Sequence, residues 1–300
     1  LFAVEIGPRT GLVPWPQGEE EVVYETDSMY SHISVEDRSE EERVLVMDGL
    51  IHNRHHKENP DRLLYSYERI YRAATAEYAE RETKGERFST LTLGGGALTF
   101  PMYLERNYPG SENKVVEIDP EVIETAYRYF DVPRDTELDI HIADARQWIS
   151  SVERERRFDI IYLDVFDSYS IPSHLTTREF TELLQRHLKP DGLVLVNLID
   201  IYAEGRFLGA YSRTAEQIFD HVKVYAVSGF SMESRSTFVL AAGEGAETLV
   251  ELTDHSGESY EELGKNELER LQRRNGSPVL TDNYAPVEIL MAPVFLRAFL

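Results

Sequence analysis

Between Ser89 and Leu198 the chain alternates short apolar runs with longer amphipathic stretches, and most of the apolar runs stop at a glycine or an acid. No other feature constrains the fold as much. Strands separated by helical crossovers lie parallel in one sheet, with helices on its faces. Ser89–Leu93 leads to Gly94-Gly95-Gly96 and a helix through Tyr108, and Lys114–Ile118 leads to a helix from Pro120 to Phe130. Leu138–Ile142 reads as a third strand followed by a short helix over Ala145–Val152, and Asp159–Leu163 as a fourth, bounded by Asp164. Thr177–Leu188 reads as a helix ended by Lys189-Pro190-Asp191-Gly192, and Leu193–Leu198 as the fifth strand. A helix over Glu204–His221 and strands Val222–Val227 and Thr237–Ala242 complete a doubly wound α/β sheet. The polar stretch 243–276 is expected to be a mostly helical elaboration of its edge.

The first part of the chain has a different period. Val22-Val23-Tyr24, Ser31–Val35 and Val44–Met47 are short β-type runs, and Asp48-Gly49 is a turn dipeptide that predicts a hairpin with Leu50-Ile51. From Arg62 to Arg81 the pattern turns helical, with Leu63, Tyr67, Ile70, Tyr71, Ala74 and Tyr78 on one face. Two units are therefore expected, a β-hairpin domain over 1–60 and a doubly wound α/β domain over 61–300. Leu1-Phe2-Ala3-Val4 lacks the basic flank and cleavage site of a signal peptide, and the start at Leu1 reads as a processed or excised segment.

Composition narrows the chemistry. The absence of cysteine excludes disulfides, thiolate metal sites and cysteine nucleophiles. Fifty-four acids against thirty-one bases leave a net charge of −23, which repels nucleic-acid phosphates and anionic lipid and attracts cationic ligands. No apolar run approaches the length of a membrane span.

The glycine turn sits between an apolar strand and a helix, where a backbone free of side chains can approach a ligand closely. Glu117 ends the next strand, twenty-one residues beyond Gly96, where an acid accepts hydrogen bonds from ribose hydroxyls. Asp144-Ala145 ends the third strand and is expected over the base. Thr99 stands where a dinucleotide fingerprint has its third glycine, and no lysine follows the turn. A nucleoside with a small tail therefore fits better than a dinucleotide or a P-loop triphosphate. The fourth strand runs into Leu163-Asp164-Val165-Phe166-Asp167-Ser168, which puts two carboxyls three residues apart at the same sheet edge. Such acids can converge on a cation, and one held among apolar neighbours can take a proton.

With these residues in order, the sequence resembles the spermidine synthase family, the polyamine aminopropyltransferases. Val44–Ile51 is similar to that family's N-terminal hairpin and Tyr65-Ser66-Tyr67 to its tyrosine motif. Gly94–Gly96, Val116-Glu117-Ile118-Asp119-Pro120, Asp144-Ala145 and Leu163–Asp167 follow in family order. His174–Phe180 and Leu280–Glu288 resemble a bacterial subgroup in which such a domain follows a membrane region. The resemblance implies a Rossmann-like sheet of the class I methyltransferase type and transfer of an aminopropyl group from decarboxylated S-adenosylmethionine to an amine, with no metal. It implies Asp164 as the base and Asp167 and Tyr67 as holders of the cationic acceptor. Gly94, Gly95, Gly96, Glu117, Asp119, Asp144, Ala145 and His52 would hold the donor. A homodimer, a cytoplasmic location and attachment to a membrane region outside the chain are also implied.

Four departures bear on the donor and the acceptor. Ala97 stands where the family usually has an acid that contacts the donor's amine, which leaves intact S-adenosylmethionine admissible. His52 and Glu68 replace glutamines, and Ser168 replaces a proline. The alternatives are an amine methyltransferase and a non-catalytic polyamine or nucleoside sensor of a membrane protein. His52, His55 and His56 near Glu58 and Asp61 read as a loop cluster rather than a metal site, with His52 in the pocket. His174 reads as either a cover over the site or a surface residue before the Thr177 helix cap. Thr281–Tyr284 either closes the acceptor pocket or docks the C-terminal segment.

Overall fold

The computed structural model describes residues 21–165, 171–204, 206–250, 252–253, 257–273 and 277–298. Four antiparallel strands come first: β1 (Glu21–Asp27), β2 (His32–Asp37), β3 (Glu42–Met47) and β4 (Leu50–His56). The expected hairpin joins β3 to β4, with Met47 opposite Leu50. Asp48 and Gly49 both have positive φ, at 49° and 80°, the conformation a tight hairpin turn requires. The helix α1 (Ser66–Arg81) then leads into an eight-stranded sheet.

That sheet comprises β5 (Ser89–Leu93), β6 (Glu112–Glu117), β7 (Asp139–Ile142), β8 (Phe158–Leu163), β9 (Leu188–Ile201), β10 (Val222–Val227), β11 (Arg235–Ala242) and β12 (Tyr260–Glu262). Its spatial order is β12-β10-β11-β9-β8-β5-β6-β7. The helices are α2 (Thr99–Asn107), α3 (Pro120–Tyr129), α4 (Ala145–Ser151), α5 (Arg178–Arg186), α6 (Phe207–Ala215), α7 (Glu244–Thr248), α8 (Lys265–Arg273) and α9 (Val287–Ala298), with a 3₁₀ turn over Ser173–Leu175. Strands β5 to β9 pair in parallel. Every residue of β8 is buried, as a strand covered by helices on both sheet faces must be.

Three expectations change. The sheet is mixed, because β11 inserts antiparallel between β9 and β10. The Lys189–Gly192 turn does not precede the fifth strand but lies inside β9, with a register shift in the pairing to β8. The stretch after 243 is only partly helical: it also supplies β12, the edge strand that pairs with β10.

The core consists of two layers against the large sheet. On one face Tyr67, Ile70, Tyr71, Ala74 and Tyr78 of α1 pack with Phe100 on Ile160, Tyr162, Leu193, Leu195 and Val239. On the other, α4, α5, α6 and α9 cover Leu93, Ile161, Leu163, Val194 and Val196. The small sheet lies against α3 and the glycine turn: Ile33, Val35 and Leu45 pack with Ala97, Val122 and Phe130. Tyr24 stacks on Tyr129 at 4.9 Å, and the Tyr24 hydroxyl donates to Glu121 at 3.1 Å. This docking brings β4 to the carboxyl edge of the large sheet.

Candidate active site

Strand order reverses between β5 and β8, and a crevice opens at the carboxyl ends of strands where that happens. Gly94 and Asp164 face each other across this point. The Asp164 amide donates to the Leu93 carbonyl at 2.9 Å, and a Cβ on Gly94 would stand 1.9 Å from the Asp164 carbonyl oxygen. Gly94 also has φ of +88°, so close approach and backbone conformation both demand glycine. At Gly96 a Cβ would fall 2.2 Å from Asn53 Oδ1. Asn53, on β4, accepts from the Ala97 amide at 2.6 Å and donates to Thr99 Oγ1 at 3.3 Å. The small sheet thus fastens the glycine turn through Asn53. His52 precedes it on β4, half-buried, at the register shift in the pairing of β3 with β4.

Glu117 turns back onto the same loop. One carboxylate oxygen accepts from the amides of Gly95 at 2.8 Å and Gly96 at 3.1 Å, the other from Ile118 at 2.8 Å and Asp119 at 3.0 Å. Burial pushes its acidity down, while the four amides favour the charged form. Asp119 caps α3 by accepting from the Glu121 amide at 2.9 Å, and its other oxygen is buried without a partner. Asp144 caps α4 through the Gln147 amide at 2.8 Å, with Ala145 buried as the first residue of that helix.

The rest of the Asp144 carboxyl meets His174 Nε2 at 2.9 Å. His174 sits on the 3₁₀ turn and, with Asp144, Arg146 and Gln147, borders an open hollow of about 610 Å³. Asp282 receives a two-pronged bond from Arg146, at 2.7 and 2.6 Å, and another from Thr177 Oγ1 at 2.7 Å. Arg146 holds the Asp282 carboxyl below the usual range. Of the two expectations for Thr281–Tyr284, docking is the one seen, through Asp282 on Arg146 and Thr177. Thr177 caps α5 by accepting from the Phe180 amide, but Glu179 accepts from the Asp282 amide instead of completing a capping box.

At the other end of the crevice, Asp164, Tyr67, Glu68, Tyr71 and Phe100 line a narrow cavity under the glycine turn. Asp164 accepts from Asn197 Nδ2 at 2.8 Å. Burial raises its pKa, while Asn197 and the Tyr67 hydroxyl pull the other way. Tyr71 reaches the carbonyls of Leu163 at 3.0 Å and Leu195 at 3.2 Å, tying the end of β8 to β9. Glu68 is fully buried, and burial with the nearby Asp164 pushes its pKa up to about 8. Asp167 and Ser168 lie outside the described residues.

Sequence reading missed Asn53 and Asn197. Asn197 had a signal: it is the polar interruption of Leu193-Val194-Leu195-Val196-Asn197-Leu198, and a polar group in a buried strand needs a partner. Asn53 had none, since its role depends on how two sheets meet. The histidine cluster disperses into structural contacts. His55 faces Asp131 at 3.0 Å, and His56 accepts from the Asn59 amide at 3.2 Å.

Comparison with known proteins gives the family. The model of the spermine/spermidine synthase domain matches residues 23–234. A probable polyamine aminopropyl transferase of Bifidobacterium longum is 26% identical over 95% of this chain and 65% of its own length. A polyamine aminopropyltransferase of Vibrio vulnificus is 30% identical over 63% of this chain and 62% of its own. The chain therefore spans somewhat less than two thirds of the length of these relatives. Among solved structures, a probable spermidine synthase from Corynebacterium glutamicum has a TM-score of 0.74 at 22% identity, covering 89% of this chain and 99% of that one. A spermidine synthase in complex with the transition-state analogue AdoDATO has a TM-score of 0.55 at 19% identity, covering 92% and 87%. Human methyltransferase-like protein 13 in complex with SAH has a TM-score of 0.52 at 19% identity, covering 78% and 92%. These likenesses carry the fold, a Rossmann-like sheet of the methyltransferase type. Joined to the ordered match of the glycine turn, Glu117, Asp144 and Asp164, the family model makes the chain a member of the spermine/spermidine synthase domain family.

Proposed function

We propose that this chain moves an aminopropyl group from decarboxylated S-adenosylmethionine to a polyamine or related amine, with Asp164 as the base. One observation carries the reading: a carboxyl at the end of β8 sits in a narrow cavity against the glycine turn, held by Asn197, with burial raising its affinity for a proton. An alkylammonium acceptor has no lone pair until it loses a proton. Asp164 accepts that proton, the freed nitrogen pair forms the bond to carbon, and the carbon–sulfur bond breaks with its electrons going to the sulfonium. Tyr67 and Asp167 hold the acceptor's charge. Positioning nitrogen, carbon and sulfur in line supplies much of the rate.

In this reading Gly94, Gly95, Gly96, Glu117, Asp119, Asp144 and Ala145 hold the nucleoside. The ribose displaces some of the four amides that fill Glu117. The net charge of −23 favours a polycationic substrate over nucleic acid. A cytoplasmic location goes with the reading only where the donor is made there. Among the described residues no helix is long and apolar enough to cross a membrane.

Methyl transfer from intact S-adenosylmethionine is the second reading, and Ala97 favours it. Ala97 is 1% exposed, its amide is taken by Asn53, and its side chain offers no carboxylate to repel a donor carboxylate. Mass spectrometry of products, with both donors offered against a panel of diamines and polyamines, separates the readings. An added aminopropyl group supports the first and an added methyl group the second. Donor binding without either product supports a sensor.

A further inference from the structure

Glu68 is a buried carboxyl that lines the cavity beside Asp164. It lies in the first turn of α1 with no exposure, and no side chain hydrogen-bonds its carboxyl oxygens, which have only the Tyr65 backbone at the start of the same helix to favour their charged form. A carboxylate in such a place is held unpaired and out of water, which folded proteins avoid unless a ligand or a proton resolves it. The charged and titratable groups around it do not supply a partner. From its own helix, Arg69 is committed to Glu258 at 2.9 Å and to the Leu64 carbonyl at 3.0 Å. Tyr65, Tyr67 and Tyr71 are phenols with burial-raised pKa values. From the end of β8 comes Asp164, a like charge. From β4 and β11, Arg54 and Arg235 act on Tyr65, and neither is among the charges that act on Glu68. Burial first, then the Asp164 charge, keeps a proton on Glu68 at neutral pH. The Tyr65 backbone and Arg69 oppose this without reversing it.

Resting on the amine-acceptor reading above, we propose that Glu68 is a second carboxyl of the acceptor pocket, and that it gives up its proton when a cationic amine enters. The exchange balances. A carboxylic acid and an ammonium group become an ion pair in the cavity, and one proton leaves to solvent. The incoming cation supplies the partner the fold withholds, and it offsets the repulsion between Glu68 and Asp164. Acceptor binding is thereby coupled to pH. Affinity rises with pH below the Glu68 titration because the proton to be expelled is already leaving, by up to about tenfold per pH unit.

Titration calorimetry of the whole chain with 1,4-diaminobutane, at pH 7 in phosphate and in Tris, counts the protons released. The wild type is expected to release about one per amine bound. Glu68→Gln should release markedly less and lose the rise in affinity between pH 6 and 8, whereas Asp164→Asn should keep most of the release. Amine binding with no proton release by the wild type, a count needing no variant, overturns the inference and leaves the amine reading standing. An unchanged release in Glu68→Gln overturns it as well. If the chain binds an adenosyl donor but no amine, the acceptor reading fails and the inference goes with it.

Discussion

The two ends of the crevice treat their acids in opposite ways. At the proposed nucleoside end Glu117 is filled by four backbone amides and Asp144 by one amide and His174. At the proposed amine end Asp164 has a side-chain amide and a phenol, and Glu68 has no side-chain partner. Hydrogen bonds to a carboxylate favour its charged form and fix its direction, which suits recognition. Desolvation without enough donors favours the protonated form and leaves a group ready to exchange a proton. In the proposed function, saturation of its hydrogen-bonding capacity separates an acid that binds from one that reacts, although both lie at the same sheet edge.

The contrast can be tested from either side. Asp164→Asn keeps the shape and the Asn197 contact but removes the proposed base. Turnover should fall by about 10²–10⁴-fold while donor binding stays within about twofold, read by steady-state kinetics and calorimetry. Gly94→Ala drives a methyl group into the Asp164 carbonyl and should cost about 3 kcal/mol or more by denaturant unfolding. Glu68→Gln tests the unsaturated end through stability. A folded-state pKa of about 8 against an ordinary 4.5 means that the folded chain keeps a proton the unfolded chain loses. Stability should therefore fall as pH rises through that window. The variant should lack this slope and exceed the wild type at pH 8 by on the order of a few kcal/mol. Asn53→Ala leaves the buried Ala97 amide unpaired, a loss of about 1–3 kcal/mol with weaker nucleoside binding.

Asp282→Asn should have the smallest effect, under about 1 kcal/mol, because the pair with Arg146 is part-exposed. Its pH signature has the opposite sign to that of Glu68. With the Asp282 pKa held below 3.8, its contribution is present above that value and disappears as pH falls through the lowered pKa. A Glu68→Gln stability curve parallel to the wild type's would erase the distinction between the two ends.

Legibility followed the range of the interactions. The β5–glycine–α2 unit, Glu117 at the end of β6, Asp144 at the α4 cap and Asp164 after β8 were all readable, because strand period and caps act over a few residues. The antiparallel entry of β11 was not. Its apolar run, Phe238–Ala242, reads the same in either direction, and only its pairing with Asn197 and Leu198 of β9 sets its sense. The β12 edge strand, three residues long, carries almost no periodic signal.

For the site, the sequence by itself determined which acids reach the carboxyl edge, since a side chain at a strand end has one place to go. Tertiary structure decided what each acid meets there. Glu117 is filled because the glycine turn folds back over it, and Asn53 reaches that turn only because a separate sheet packs against α3. Glu68 carries the name of a surface residue and sits in the first turn of a helix, where charge is usually solvated. Its burial follows from α1 packing on the large sheet, with Tyr67, Tyr71, Phe100 and Asp164 lining the same cavity. Desolvation is a sum over every neighbour within several ångströms, most of them remote in sequence. A single chain read in order does not contain that sum until it has folded.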